Sequence, residues 1–208
     1  GEGGRKLSSR SGETMTLEGL LAEGLAAARA SVEDKQQSRS KIDPSDTATL
    51  EALAAGAIRY YDLSHARTKN YPFSFQHALS FKGNTSVSLL YAVARVQALL
   101  ERTGGDTAAT RIDVWEDLMA DPLARALAFS VLQLPDVVDD ATEGLAPHIL
   151  CDHLAKIAQR FHAFYGGHRV IDPDTHAVSH ERLRLCVATQ AALKTGLDLL
   201  GIPVIERL

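Results

Sequence analysis

Residues 57–91, AIRYYDLSHARTKNYPFSFQHALSFKGNTSVSLLY, decide the fold. They join the second half of an apolar helix face to a polar, aromatic-studded connection, then enter another helix at Gly83-Asn84-Thr85. Upstream, Leu50, Leu53, Ala54, Ala57, Ile58 and Tyr61 recur at helical spacing and predict a helix that starts at Asp43-Pro44 and ends near Leu63. Downstream, Asn84 or Thr85 caps a helix whose Val87, Leu89, Leu90, Val93, Val96 and Leu99 are apolar nearly all round, as a central buried helix requires. Between them, SHARTKNYPFSFQHALSFKGN is too long for a simple joint, and ordered loops of that length more often serve recognition. The alternation in YPFSF predicts one set of rings packed inward, with one or two of Tyr71, Phe73, Phe75 and Phe81 able to stack on single-stranded bases and core packing the alternative for any single Phe.

Working outward, Thr16 caps a helix running to about Val32, and the polar EDKQQSRSK connects it onward. Gly104-Gly105 stops the central helix, Asp121-Pro122 starts another that Pro135 ends, and DVVDDATEG holds a short one. Pro147 opens a long helix closed by Gly166-Gly167, with Leu150, Leu154, Ile157, Phe161 and Phe164 in a four-three repeat. HRVIDPDTHAVS is a turn segment with room for a small hairpin; Ser179 caps the last helix, Gly201 ends it, and IPVIERL is apolar enough to pack back. About seven helices with no period-two strand set predict an all-α fold, an irregular helical bundle.

A chain of 208 residues supports one good core, or a core with a short appendage. Apolar residues at 45% and charged residues at 23% match an ordinary globular protein, and no stretch approaches the roughly twenty uncharged apolar residues of a membrane span. GEGGRKLSSRSGETM carries neither an apolar targeting region nor an initiator Met, and reads as cut from something longer. Cys151 and Cys186 each lie in an apolar helical pattern and read as buried, reduced thiols of an intracellular protein. A formal charge of −4 excludes bulk attraction to nucleic acid, so any polyanion site must be local.

His148, Cys151 and His153 invite a metal, but their spacing on a helix points the three side chains in different directions, whereas a helical ligand pair is spaced i and i+4. No metal site is expected, and a Cys151–His153 nucleophile fails for the same directional reason. Arg5, Lys6 and Arg10 among Gly and Ser offer cations to an anion, beside the plainer reading of a terminal tail. Arg160, Tyr165, His168 and Arg169 gather at a helix C-terminus, where the dipole favours cations and an aromatic stands beside guanidinium groups. A solvated helix end is the alternative there. Composition and spacing stop at an all-α domain with RNA binding open to it.

Four blocks carry a resemblance further: AIRYYDLSHARTKNYPFSF, GNTSVSLLYAVARV, LCDHLAKIAQRFHAFY and LKTGLDLLGIPVIERL. In order and nearly end to end, they resemble the C-terminal anticodon-binding domain of the arginyl-tRNA synthetase family, of the eukaryotic cytosolic type. GEGGRKLSSRSGETMTLEGLL resembles the point where the class I signature loop leaves the catalytic Rossmann domain. The resemblance implies residues 1–40 as signature-loop remnant and connecting helix, and 41–208 as an anticodon-binding bundle of the class I synthetase type. It implies a cytoplasmic ligase of protein biosynthesis that attaches arginine to its tRNA with ATP and Mg. Lys6, Ser8 and Arg10 are then the catalytic remnant, matching Lys-Met-Ser-Lys-Ser with Ser9 at the second Lys. The His-Ile-Gly-His signature is absent, so these 208 residues alone are expected to charge no tRNA and to need no cofactor.

The implied tRNA-binding residues are Tyr71, Tyr91, Arg95, Arg160, Tyr165, His168, Arg169 and Leu208. Ser88 stands at the first tyrosine of a family pattern like Tyr-Leu-x-Tyr-Ala, Tyr91 at the second, and Leu208 at a terminal Met. Arg59, Asp62 and Arg67 are expected to fix the joint and flank tRNA. Implied partners are the anticodon stem-loop of arginine tRNA, the parent catalytic domain and other synthetases, with no membrane. The rival is a stand-alone, non-catalytic protein-interaction scaffold derived from the same domain, which Ser88 favours.

Overall fold

A computed structural model describes residues 16–34, 42–104 and 115–205, without the side chains of 115–117. Thr16 opens α1 (Leu17–Glu33) by accepting from the Gly19 N–H at 3.0 Å. The second helix, α2 (Thr47–Leu63), begins a turn later than Asp43-Pro44 suggests. The Asp43 carboxylate is taken by the Ser45 N–H and hydroxyl, both at 2.8 Å, which closes a turn; Asp46 caps instead, accepting from the Thr49 N–H at 3.1 Å. The long connection holds a four-residue helix, α3 (Phe75–Ala78). Thr85 caps α4 (Ser86–Arg102), because the Asn84 side chain is engaged elsewhere.

Beyond α4 come α5 (Trp115–Ala120), α6 (Pro122–Leu132), α7 (Leu134–Glu143), α8 (Pro147–Gly167) and α9 (His180–Leu199). Asp121 caps α6 as expected, but Pro135 does not end it. Pro135 sits in the first turn of α7, where its missing N–H has no helical partner to lose. Ser179 precedes α9 without capping it, since its hydroxyl donates to the Glu181 carboxylate. Ile171 and Val178 make one isolated antiparallel bridge in the turn segment. Gly201, in the left-handed region at φ 66°, turns the chain so that Ile202 is buried. Nine helices are present among the described residues rather than about seven; the additional two, α3 and α5, are too short to show a period.

The all-α class stands, and α4 is its centre, packed on α2, α8 and α9. Val93 and Val96 of α4 are wholly buried, as are Phe161 and Phe164 of α8, and burying each such ring contributes roughly 1.5–3 kcal/mol. Close approaches set the layers. Gly24 lets α1 lie on α2, where a Cβ would stand 2.8 Å from Ile58 Cδ1. Gly196 lets α9 lie on α8, where a Cβ would stand 2.3 Å from Leu154 Cδ2. Buried Gln190 ties α9 to α4 by donating to the Val93 carbonyl at 3.1 Å. Cys151 and Cys186 are free and buried, and burial pushes both thiols up to about 12. No described helix is long and apolar enough to cross a membrane.

Candidate functional site

The central helix presents one partly open face, on which Tyr91 and Arg95 stand one turn apart, and α8 lays His162 and Tyr165 beside them. The Arg95 guanidinium carbon lies 4.8 Å from the centre of the Tyr91 ring and 4.9 Å from that of Tyr165, so one delocalised cation bridges two aromatic faces from two helices. Tyr91 meets Phe81 edge-on at 6.1 Å and His162 at 5.7 Å, and Tyr165 rests on Phe161 at 5.6 Å. Burial holds the His162 imidazole below its ordinary pKa, and the Arg95 charge adds to this against an opposing hydrogen bond to the Ser88 carbonyl. Protonation of this imidazole is thus disfavoured, and Arg95 supplies the positive charge.

An open cleft of about 1060 Å³ lies against this group, walled by Ala30 of α1, by Phe75, Phe81 and Lys82, and by Tyr91 and His162. It offers flat apolar rings, a fixed guanidinium and an exposed ammonium. That set suits planar π-systems joined by anions, and among the described residues no side-chain hydrogen bond pairs a nucleophile with a base there.

The remaining sequence-predicted residues fall in several places. Tyr71 donates to the Asp62 carboxylate and stacks on His65 at 4.1 Å, and burial followed by the Asp62 hydrogen bond raises its pKa. Its neighbours Phe73, Phe75 and Phe81 are half-buried too, so the expected alternation of inward and outward rings is absent. The entry into α3 at Phe75 breaks the extended register that period two requires, and Phe73 instead packs edge-on against both Tyr61, at 5.2 Å, and Phe75, at 4.9 Å.

The expected group of Arg160, Tyr165, His168 and Arg169 is not one cluster. Five residues apart on α8, Arg160 and Tyr165 point about 140° apart. Arg160 donates to the Ala126 carbonyl at 2.9 Å and so binds α8 to α6. His168 stacks on Phe164 at 4.9 Å and places Nε2 3.1 Å from Asp121 Oδ2, joining the end of α8 to the start of α6. Asp121 is held below its ordinary pKa mainly by the Ala124 N–H it caps, with a smaller share from His168. Arg169 is exposed, and its carbonyl accepts from Arg182 at 2.9 Å.

Lys6, Ser8, Arg10 and Leu208 lie outside the described residues. Arg59 donates to the Gly201 carbonyl and fastens α2 to the chain after α9, while Arg67 is exposed. His153 is turned to the Ser130 carbonyl at 2.8 Å, and among the described residues no three His, Cys, Asp or Glu side chains are gathered to hold a metal. Sequence reasoning missed His162, although its i, i+3 relation to Tyr165 was the available signal.

Two family descriptions match the chain: the "DALR anticodon binding domain" over residues 89–208 and "tRNA synthetases class I (R), catalytic domain" over residues 1–75. The whole chain is similar to arginine–tRNA ligases, at 38% identity to that of Synechocystis sp. over 35% of its length, and at 40% to that of Frankia casuarinae over 34%. It thus spans about a third of the length of the curated relatives it matches. The structure of Thermus thermophilus arginyl-tRNA synthetase superposes with a TM-score of 0.80 at 33% identity, covering 99% of this chain and 34% of that one. The Plasmodium falciparum enzyme gives 0.74 at 25% identity, covering 93% and 34%. By both measures the bacterial structure is the more similar of these two, the reverse of the eukaryotic type expected from the sequence. Tyr91, Arg95 and Tyr165 all fall within the 89–208 match.

Proposed function

The chain belongs to the DALR anticodon-binding domain family, and from that membership we propose that it reads the anticodon stem-loop of arginine tRNA for an arginine–tRNA ligase. The observation that carries the reading is Arg95 held between Tyr91 and Tyr165 at the edge of an open cleft. Loop bases are unstacked and seek ring faces, while the backbone between them seeks cations. Tyr91 and Tyr165 supply the faces, and Arg95 serves both needs, by stacking and by charge. Tyr71 and Arg169 belong to the outer part of the same interface, and Leu208, outside the described residues, is kept as an RNA contact by its place in the sequence alone. Arg160 and His168 act on it indirectly, by holding α8 against α6.

Chemistry in this reading belongs to the parent enzyme, which uses ATP and Mg in its Rossmann domain with Lys6, Ser8 and Arg10 in the signature loop. Residues 1–40 are the catalytic side's last segment and 41–208 the bundle. The parent catalytic domain and other synthetases are its protein partners in the cytoplasm, and these 208 residues alone are inactive in aminoacylation.

The test is a titration of a labelled arginine-tRNA anticodon stem-loop, followed by fluorescence anisotropy at several salt concentrations. Tighter binding than to an unrelated stem-loop, weakening steeply with salt, is the expected result. Equal affinity for the two at moderate salt rejects the reading. It would favour the protein-interaction scaffold instead, for which Phe129, 60% exposed, and Leu132, 74% exposed, are the apolar surface on α6.

A further inference from the structure

Across Phe81 and His162 from the large cleft lies a second pocket, of about 490 Å³, which shares those two rings and Lys82 with it. Its volume lies within the range of small-molecule sites. Ser88 of α4 forms part of its lining. This buried position carries only a hydroxymethyl group, as the buried Ser86 does, whereas Val87, Leu89, Leu90 and Val93 carry branched apolar side chains, and open volume lies between it and α8.

The polar groups around that space are arranged asymmetrically. Both ends of the Asn84 amide are engaged: its Oδ1 accepts from the buried Tyr60 hydroxyl at 2.6 Å, and its Nδ2 donates to Asp152 Oδ1 at 2.8 Å. This fixes the Asp152 carboxylate at the rim and leaves its other oxygen without a hydrogen bond from the described residues. Gln159 on the same helix, and the ammonium groups of Lys82 and Lys156, likewise make no hydrogen bond or ion pair with the described residues. A fixed carboxylate oxygen beside a carboxamide complements the amino-bearing edge of a nucleobase. Two unpaired ammonium groups complement a phosphate, and an aromatic wall complements the base's flat face.

We propose that this pocket holds one nucleotide extruded from the RNA loop, with its amino-bearing edge on Asp152 and Gln159 and its phosphate on Lys82 and Lys156. The proposal rests on the RNA-binding reading above and adds to it a nucleotide site separate from the Tyr91–Arg95–Tyr165 group. Phe81 and His162, which line both spaces, are where the bound strand passes from one to the other.

The experiment measures anisotropy of the arginine-tRNA anticodon stem-loop, intact and with each loop position made abasic in turn, on the wild-type chain and on Ser88→Phe, Asp152→Asn and Lys156→Glu. Ser88→Phe fills the pocket; Asp152→Asn keeps an oxygen for Asn84 to bond while removing the charge. Each is expected to weaken the intact stem-loop roughly tenfold, within the range of one stacked base. One abasic position should cost the wild type a similar factor and the Ser88→Phe and Asp152→Asn chains nothing more. Should Ser88→Phe fail to fold by circular dichroism, the variants at exposed Asp152 and Lys156 carry the same test.

Unchanged affinity in Ser88→Phe and Asp152→Asn, or losses additive with every abasic position, overturns the pocket; Arg95→Ala still weakening the stem-loop then shows that the larger cleft survives. Free cytidine or adenosine 5′-monophosphate binding that Asp152→Asn abolishes, with no abasic position affected, overturns the assignment to a loop nucleotide. If the wild type binds an unrelated stem-loop equally well, both readings fall together.

Discussion

The guanidinium carbon of Arg95 on α4 stands 4.9 Å from the centre of the Tyr165 ring on α8, so the proposed recognition surface forms only when two helices distant in sequence are packed. Removing the ring in Tyr165→Ala is expected to lower stem-loop affinity by roughly 1–3 kcal/mol, the range of one base–aromatic stack. Tyr165→Phe keeps the face and most of the affinity. Anisotropy titration of variants with matched helicity decides it, and a folded Tyr165→Ala chain with wild-type affinity takes the residue out of the site.

Arg160 separates a structural from a recognition role. Its donation to the Ala126 carbonyl at 2.9 Å is a charge-assisted bond between α8 and α6, and such bonds contribute about 1.5–3 kcal/mol when buried and less where water reaches them. Arg160→Met is therefore expected to shift the urea midpoint downward at constant slope and to leave stem-loop affinity where it was. An affinity loss as large as that of Tyr165→Ala would place Arg160 in the interface after all.

The contrast between these two arginines marks what the sequence carries. Helix existence was legible, because α2, α4, α8 and α9 bury continuous apolar faces, and a period survives any context. Boundaries failed where two capping residues compete, as with Asp43 against Asp46, or where a proline serves a start as well as a stop, as Pro135 does. Of the candidate cluster, Tyr91 and Tyr165 were each picked out from the sequence, one at a time. Their junction through Arg95 depends on how α4 crosses α8, and which way Arg160 turns depends on a carbonyl of a third helix. Neither is a property of spacing along one segment.

The two thiols give a test of the core. Cys151 and Cys186 are fully buried, and burial pushes both up to about 12, so the thiolate that attacks disulfide reagents is suppressed and inaccessible. Native protein at mildly alkaline pH should release almost no chromophore from a thiol-reactive disulfide, and both cysteines should react together once urea unfolds the chain. Rapid labelling of one thiol in native conditions would show that its helix opens locally.

Acid sensitivity follows from the buried imidazoles. Burial lowers the pKa of His153 and His162 below the ordinary value of 6.5, His153 against the raising effect of its bond to the Ser130 carbonyl, and His162 with help from Arg95. An unfolded chain takes up these protons near pH ~6.5, while the folded chain resists until a lower pH. In that interval the unfolded state holds more protons, so stability is complete above pH ~6.5 and falls as pH drops toward the folded values. The carboxylates of Asp121 and Glu181, both lowered, extend the loss only at more acidic pH, where they protonate. Urea unfolding between about pH 7.5 and about pH 5.5, which brackets the free-histidine value, should show this decline. His153→Gln, whose amide still donates to Ser130, should flatten it in part, and His162→Gln should flatten the rest. Stability that holds level or rises on acidification through this window would mean that the two imidazoles are not kept neutral by the fold.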